Sequence, residues 1–164
     1  MDFFEVLKKR RSMRTFTSET VSDQDIETIL NAARLAPTAR NIQPWEFIVI
    51  KNQKTKSAVA RCASPNGAFI EQAAACIVCF CQDTKYYLED GCAATTSALL
   101  CATALGVGAC WVAGDKKDYA ENLRVLLGVP SGYKLVSLIA LGISKEDPQV
   151  EKRALKDIVH KEKF

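Results

Sequence analysis

With 164 residues, 48% of them hydrophobic and 25% charged, the chain has the size and composition of one globular domain with a single core. Its formal net charge of +3 is small and mixed along the sequence, which excludes a broad nucleic-acid-binding surface and confines any basic site to a local cluster. The N-terminus places Asp2 and Glu5 ahead of its basic cluster, the reverse of a secretory signal, so we expect a cytoplasmic protein.

Hydrophobic periodicity and turn residues predict helices alternating with strands in one domain that spans residues 1–164. Helices are predicted from Asp2 to about Arg11, from the Ser22 cap to Pro37, and over Gln53–Cys62, Tyr86–Leu105 and Asp118–Leu127. Strands are predicted over Glu46–Ile50, Ala75–Cys81, Val107–Val112 and Lys134–Leu141, and a charged tail follows them.

No charged residue occurs between Gly91 and Gly114, a length at which a membrane span has to be considered. Small and hydroxyl-bearing residues, together with Gly106 and Gly108, argue against a span because the glycines break the helix. A helix that is apolar on all sides needs cover on all sides, and a domain of this size has few elements to provide it. We therefore expect a second subunit to cover this helix.

Three of the 7 cysteines, Cys76, Cys79 and Cys81, superficially suggest a metal or redox motif. On an extended chain Cys79 and Cys81 share one face while Cys76 points to the other. No second cysteine cluster or histidine pair supplies further ligands. We therefore predict buried, reduced thiols and no metal site.

The first candidate site is the sequence Arg10-Arg11-Ser12-Met13-Arg14, placed where the first helix gives way to extended chain. Arginine presents a planar fork of donors that binds phosphate bidentately, and a serine hydroxyl can complete the oxygen shell. Arg14 could meet a second anionic group. The alternative is a solvated basic helix end, where cations complement the helix dipole, and the cluster alone does not decide between the two.

The second candidate is the segment Ala36–Trp45, in which two prolines bracket small and polar residues directly after a helix. Such a stiff loop can lie flat against a planar ligand, although an ordinary helix-to-strand connection explains it as well.

Two further segments are candidates only in combination with the others. The glycine-flanked stretch Gly106–Gly114 lets the backbone approach a ligand closely, so that an amide of Ala113 or Gly114 could donate to it; tight packing is the alternative. The pair Lys152-Arg153 lies in the charged tail, where such pairs are usually solvated.

In this order and spacing, the four segments resemble the nitroreductase family of FMN-dependent enzymes, and the resemblance covers nearly the whole chain. Its most specific parts are the R-R-S-x-R start and the A-P-T-A-R-N-x-Q-P-W loop. The resemblance implies an α+β fold with a central, mainly antiparallel sheet flanked by helices. It also implies an intertwined homodimer with non-covalent FMN at the subunit interface.

The resemblance also assigns cofactor-binding residues by position. It places Arg10, Arg11, Ser12 and Arg153 at the FMN phosphate and ribityl end. It places Arg14 at the N1/O2 edge of the flavin. It places Pro37, Thr38, Ala39 and Asn41 against the ring, and these residues come from the partner subunit. It places Asn66 at the pyrimidine edge and, as backbone donors to N5, Ala113 and Gly114.

Two positions depart from the family pattern. Phe69 and Glu151 stand where some members carry basic residues, which leaves Arg14 as the one cation expected at the pyrimidine edge. The chain is short for the family and shows no insertion that could form a helical lid, so we expect an open substrate side.

The resemblance implies an NAD(P)H-dependent oxidoreductase with ping-pong kinetics, which passes hydride through FMN to small planar acceptors such as nitroaromatics or quinones. The cofactor would perform the chemistry, and no catalytic side chain is identified. An alternative is a flavin-binding or flavin-storage protein with little nicotinamide-driven turnover, and a flavin-free scaffold is a third. The sequence does not reveal the acceptor or the choice between NADH and NADPH.

Overall fold

The computed structural model describes all residues, 1–164. Its helices are α1 (Phe3–Lys9), α2 (Asp23–Arg34), α3 (Gln53–Cys62), α4 (Tyr87–Ala104) and α5 (Ala120–Leu126). Its strands are β1 (Trp45–Ile50), β2 (Ala75–Gln82), β3 (Gly108–Ala113) and β4 (Tyr133–Gly142). Short 3₁₀ turns, which the sequence did not predict, cover Ala39–Asn41, Ala68–Gln72 and Leu155–Asp157. Every predicted helix and strand is present.

Capping residues and the chain that follows each helix determine where the helices begin and end. Ser22 caps α2, because its hydroxyl accepts a hydrogen bond from Asp25 N at 3.0 Å, and α2 ends at Arg34, ahead of Pro37. Helix α1 ends at Lys9 rather than at the predicted Arg11, because the chain after it turns to lie along the sheet.

The sheet has the strand order β1-β2-β4-β3, and every neighbouring pair is antiparallel. The central strands β2 and β4 are apolar almost throughout and are covered on both faces, each by one hydrophobic core. Residues Ile29, Ile77 and Ile139 belong to the core beneath α2 and α4. Residues Val59, Phe80 and Leu123 belong to the core beneath α3 and α5. The predicted α+β fold, an antiparallel sheet flanked by helices, is confirmed.

The cysteines of β2 alternate between the two cores as predicted. Cys79 and Cys81 belong to the α2–α4 core and Cys76 to the opposite one, all three are buried, and all seven cysteines of the chain are free thiols. Burial raises the pKa of the Cys76 thiol to about 12, which keeps it protonated at neutral pH.

The uncharged stretch is divided between a helix and a strand. Helix α4 ends at Ala104, Gly106 takes a left-handed φ of 77°, and β3 begins at Gly108. Helix α4 packs on α2 and the sheet, yet Cys92, Thr96 and Leu100 remain half-buried or exposed. None of the helices combines the length and the apolar character that crossing a membrane requires.

The basic segment after α1 is fixed along the free edge of β3. Ser12 forms a parallel bridge with Ala109, and Met13 N donates to Ala109 O at 3.0 Å. Further on, Thr17 N donates to Ile143 O at 2.8 Å. These backbone bonds hold the arginines beside the outermost strand.

Candidate functional site

A cavity of about 250 Å³ collects most of the basic candidates, and we call it the basic cavity. Its lining residues are Arg10, Arg11, Ser12, Arg14, Pro148, Val150 and Lys152. Four of them are cations, none is a carboxylate, and none of the four takes part in an ion pair of the chain. Positive charge concentrated in this way, with hydroxyl and guanidinium donors beside it, suits a dianion such as a phosphate monoester.

The two adjacent arginines differ in how their guanidinium groups are used. Arg11 donates to the carbonyl oxygens of Lys8 at 2.5 Å and Arg10 at 2.9 Å, and its Nε donates to Pro148 O at 3.1 Å. It therefore ties the end of α1 to the C-terminal tail. The Arg10 side chain makes no hydrogen bond within the chain, so its fork of donors is available to a ligand.

Both basic residues of the tail are exposed, but Lys152 lines the basic cavity and the neighbouring Arg153 does not. Neighbouring residues on an extended chain point in opposite directions, so one tail conformation can bring only one of the two to the cavity. The structure therefore does not bring Arg153 together with Arg10, Arg11 and Ser12.

A second cavity of about 210 Å³ adjoins the first, because Arg14 lines both. We call it the edge cavity, and its lining residues are Arg14, Asn66, Phe69, Cys110, Trp111, Val112, Ala113, Lys117 and Tyr119. Three residues predicted from widely separated segments thus meet here: Arg14, Asn66 and Ala113. The Arg14 guanidinium carbon lies 6.0 Å from the centroid of the Phe69 ring, within the range of a cation–π contact.

Lys117 is a second cation of the edge cavity, which the sequence did not single out. The turn after β3 places it there, since Lys117 N donates to Gly114 O at 3.4 Å. The expectation that Arg14 is the one cation at this edge is therefore wrong, because Lys117 lines the same cavity. Two neighbouring lysines in a turn, Lys116 and Lys117, carry no signal that separates them from ordinary surface charge.

Two other ionisable groups, Cys110 and Glu146, lie close to Arg14. Burial raises the pKa of the Cys110 thiol, against a smaller opposing effect of Arg14, so the thiol stays protonated at neutral pH. The Glu146 carboxylate accepts a hydrogen bond from Arg14 N at 3.2 Å. Hydrogen bonding to the Thr15 side chain and to the Arg14 backbone lowers the pKa of Glu146, so this carboxylate is ionised at neutral pH.

The end of β3 separates the roles of Ala113 and Gly114. Gly114 N donates to Val136 O at 3.0 Å, so this amide is already used in the sheet. Because amides alternate in direction along an antiparallel strand, Ala113 N–H points away from β4, to the edge that the edge cavity adjoins. Gly114 is needed for packing, since a Cβ there would lie 2.5 Å from Leu135 Cγ.

The loop candidates Pro37, Thr38, Ala39 and Asn41 form a separate, internally bonded unit. Ala39 N donates to Asp90 Oδ1 at 2.9 Å, and the Thr38 hydroxyl donates to Asp90 Oδ2 at 3.0 Å. Gln43 N in turn donates to the Thr38 hydroxyl oxygen at 3.1 Å. The buried Asp90, at the start of α4, was not identified from the sequence.

Within one chain, this loop and the basic segment are connected to different outer strands of the sheet. The loop leads into β1, and the basic segment lies along β3. These are the two outer strands in the order β1-β2-β4-β3, so three strand spacings, about 14 Å, separate β1 from β3. No residue of 37–41 lines either cavity.

Comparison with known proteins connects these features to a family. The Nitroreductase family model matches residues 7–77 and 67–143. The chain is 36% identical over 166 residues to a protein of Archaeoglobus fulgidus named "Putative NADH dehydrogenase/NAD(P)H nitroreductase", with 94% of each chain covered. A solved structure of an FMN-dependent nitroreductase from Clostridium difficile superimposes with a TM-score of 0.91 at 30% identity, covering 98% of this chain and 99% of that one. The chain therefore belongs to the nitroreductase family.

Proposed function

We propose that this chain is an FMN-dependent oxidoreductase that passes electrons from NAD(P)H to small planar acceptors such as nitroaromatics or quinones. The observation that carries the proposal is the basic cavity, four cations without a carboxylate, joined through Arg14 to a cavity lined by Asn66 and Ala113. The similarity to an FMN-dependent nitroreductase supports the same cofactor.

The residues of the two cavities fit the chemistry of FMN. A carboxylate-free lining with free guanidinium donors suits the phosphate, and Arg10 and Ser12 are its proposed ligands, with Arg11 holding the wall and the tail. The edge cavity offers the mixture of aromatic, cationic and amide groups that a flat ring with polar edges requires.

Three groups of the edge cavity have a proposed contact on the ring. Arg14 would face the N1/O2 edge and Asn66 the pyrimidine edge, and the Ala113 amide would be the donor to N5, because the Gly114 amide is bonded to Val136. Lys117 adds a second positive charge on this side. The positive charges favour electron uptake, and each 1.4 kcal/mol of that preference raises a two-electron potential by about 30 mV.

When bound, FMN supplies two-electron transfer between a nicotinamide and an acceptor, and the protein supplies position and electrostatics. Neither cavity contains a carboxylate or a histidine, and the Tyr119 hydroxyl already donates to Ala113 O, so the linings offer none of the carboxyl or imidazole groups that usually act as general acids at neutral pH. We therefore assign no catalytic side chain. Use of the same open face by donor and acceptor in turn predicts ping-pong kinetics.

We further propose that the protein acts as a homodimer with FMN at the subunit interface. Helix α1 exposes Phe3, Phe4 and Leu7 by 63%, 71% and 46%, and α4 leaves an uncovered face, which are apolar surfaces that a second copy would bury. No residue of the loop 37–41 lines the basic cavity of its own chain, which agrees with a site completed by the partner's loop.

The test is anaerobic mixing of the FMN-loaded protein with NADH or NADPH, followed by absorbance near 450 nm. Rapid bleaching, then recovery of colour on adding a quinone or a nitroaromatic, supports the oxidoreductase. The absence of acid or base groups in the cavities keeps one alternative, a flavin-storage protein. Tight FMN binding with negligible bleaching by either nicotinamide would establish that alternative, and a protein that binds no FMN would reject both.

A further inference from the structure

Asp90 is a buried carboxylate whose charge is met by no cation. Its residue is 4% exposed, and none of the chain's ion pairs includes it. A buried carboxylate is costly unless hydrogen bonds satisfy it, and here the Ala39 amide and the Thr38 hydroxyl bond to its two oxygens. Its place in the first turn of α4 adds the favourable field of the helix dipole.

The loop that Asp90 holds is in a conformation that its own residues disfavour. Arg40, Asn41 and Gln43 have φ values of 55°, 56° and 52°, in the left-handed region, and none of them is glycine. The Thr38 hydroxyl passes the constraint along, because it donates to Asp90 and accepts from Gln43 N. Such strain persists only where surrounding contacts determine the backbone, and it is concentrated at functional sites.

From this arrangement we propose that Asp90 is a positioning residue: through Thr38 and Ala39 it fixes the loop 37–43 as a rigid wall against the flavin bound in the basic and edge cavities of the partner subunit. The proposal rests on the proposed FMN function. It assigns the strained loop to the partner's site because, within its own chain, no residue of the loop lines either cavity.

The first test uses variants that remove one acceptor or one donor at nearly constant volume. Asp90→Asn replaces a carboxylate oxygen with an NH₂ group that cannot accept from the Thr38 hydroxyl. Thr38→Val removes that hydroxyl, whereas Thr38→Ser keeps it. Asp90→Asn and Thr38→Val should each weaken FMN binding by about tenfold and shift the flavin spectrum and potential, and Thr38→Ser should restore the affinity relative to Thr38→Val. Circular dichroism identifies any variant that fails to fold, and Thr38→Val tests the link even if Asp90→Asn does not fold.

The second test determines which subunit's flavin the loop contacts. Differently tagged Arg10→Ala and Asp90→Asn chains are co-expressed, and the hybrid dimer is purified and titrated with FMN. If the loop acts on the partner's flavin, one site of the hybrid combines the intact Arg10 with the intact Asp90, and half of the chains bind FMN with wild-type affinity. If the loop acts within its own chain, both sites carry one defect and no wild-type site appears, which overturns the assignment to the partner.

Failure of this inference is distinguishable from failure of the proposed function. If the wild-type protein binds FMN and Arg10→Ala weakens the binding, while Asp90→Asn and Thr38→Val keep the wild-type affinity, spectrum and potential, the positioning role is wrong and the FMN site stands. If the wild-type protein binds no FMN, both proposals are overturned.

Discussion

The segments that adjoin the two outer strands, β3 and β1, use polar groups in opposite ways. Along β3, the basic cavity holds four cations without a carboxylate, and the Arg10 guanidinium makes no hydrogen bond within the chain. Beside β1, the loop 37–43 carries strained backbone whose polar atoms bond to Asp90 and to one another. The first arrangement would be stabilised by an incoming anion, whereas the hydrogen bonds of the second are already made and offer a preformed surface. If FMN binds as proposed, we expect binding strength to come from the basic cavity and shape from the loop.

The largest effect is expected from Arg10→Ala. Loss of a charge-assisted bond to phosphate should cost about 2–3 kcal/mol, which is a roughly 30- to 150-fold weaker affinity for FMN. Fluorescence titration of apoprotein with FMN measures it. Arg61→Ala is the matched control, because Arg61 is exposed on α3, away from both cavities. Equal affinities of the two variants would show that the basic cavity does not bind the FMN phosphate.

Gly114→Ala should destabilise the fold, since the added Cβ would lie 2.5 Å from Leu135 Cγ and 3.0 Å from the Val136 carbonyl carbon. Overpacking of this kind costs about 2 kcal/mol, measured by urea denaturation of the apoprotein. In a Leu135→Ala background the same change should cost clearly less, because the clashing side chain is gone. Additive effects would show that Gly114 is not limited by this contact.

The two basic residues of the tail give a sharper comparison within the β3 edge. Lys152 lines the basic cavity and Arg153 does not, so Lys152→Ala should weaken FMN binding by about tenfold and Arg153→Ala by less. The reverse order would place Arg153 rather than Lys152 at the phosphate, which is the assignment that the family resemblance implies. Both variants are measured by the titration used for Arg10→Ala.

Arg14 and Lys117 should affect the flavin potential more than its retention. Arg14→Ala is expected to lower the two-electron potential by about 30 mV, equivalent to 1.4 kcal/mol, while FMN stays bound. Lys117→Ala should lower it by less, because Lys117 lines only the edge cavity, whereas Arg14 lines both cavities and lies against Phe69. Equilibration of the holoprotein with reference dyes measures both. A larger effect of Lys117→Ala would reverse the roles of the two cations.

The sequence predicted what depends on local patterns, and it missed what depends on pairing between distant segments. Periodicity predicted the strands and the alternation of Cys76 and Cys79 between the two cores. Which of Ala113 and Gly114 has a free amide depends on the register of β3 with β4, and a single strand does not encode that register. Asp90 bonds to residues 51 and 52 positions earlier, so no motif of neighbouring residues could reveal it.

The smallest expected effect concerns Glu146, which supports Arg14 from outside the basic cavity. Hydrogen bonds lower its pKa from the ordinary value of 4.5, so its contribution to stability is present above about pH 4.5 and is lost as the pH falls through the lowered value. Glu146→Gln should therefore reduce the thermal midpoint slightly at pH 7, by the equivalent of less than about 1 kcal/mol, and the difference from wild type should vanish under strongly acidic conditions. Thermal unfolding of both apoproteins between pH 3 and pH 7 measures this, and a difference that grows as the pH falls would contradict it. Because Glu146 does not line the basic cavity, the FMN affinity of the variant at pH 7 should stay within about twofold of wild type, in contrast to Arg10→Ala.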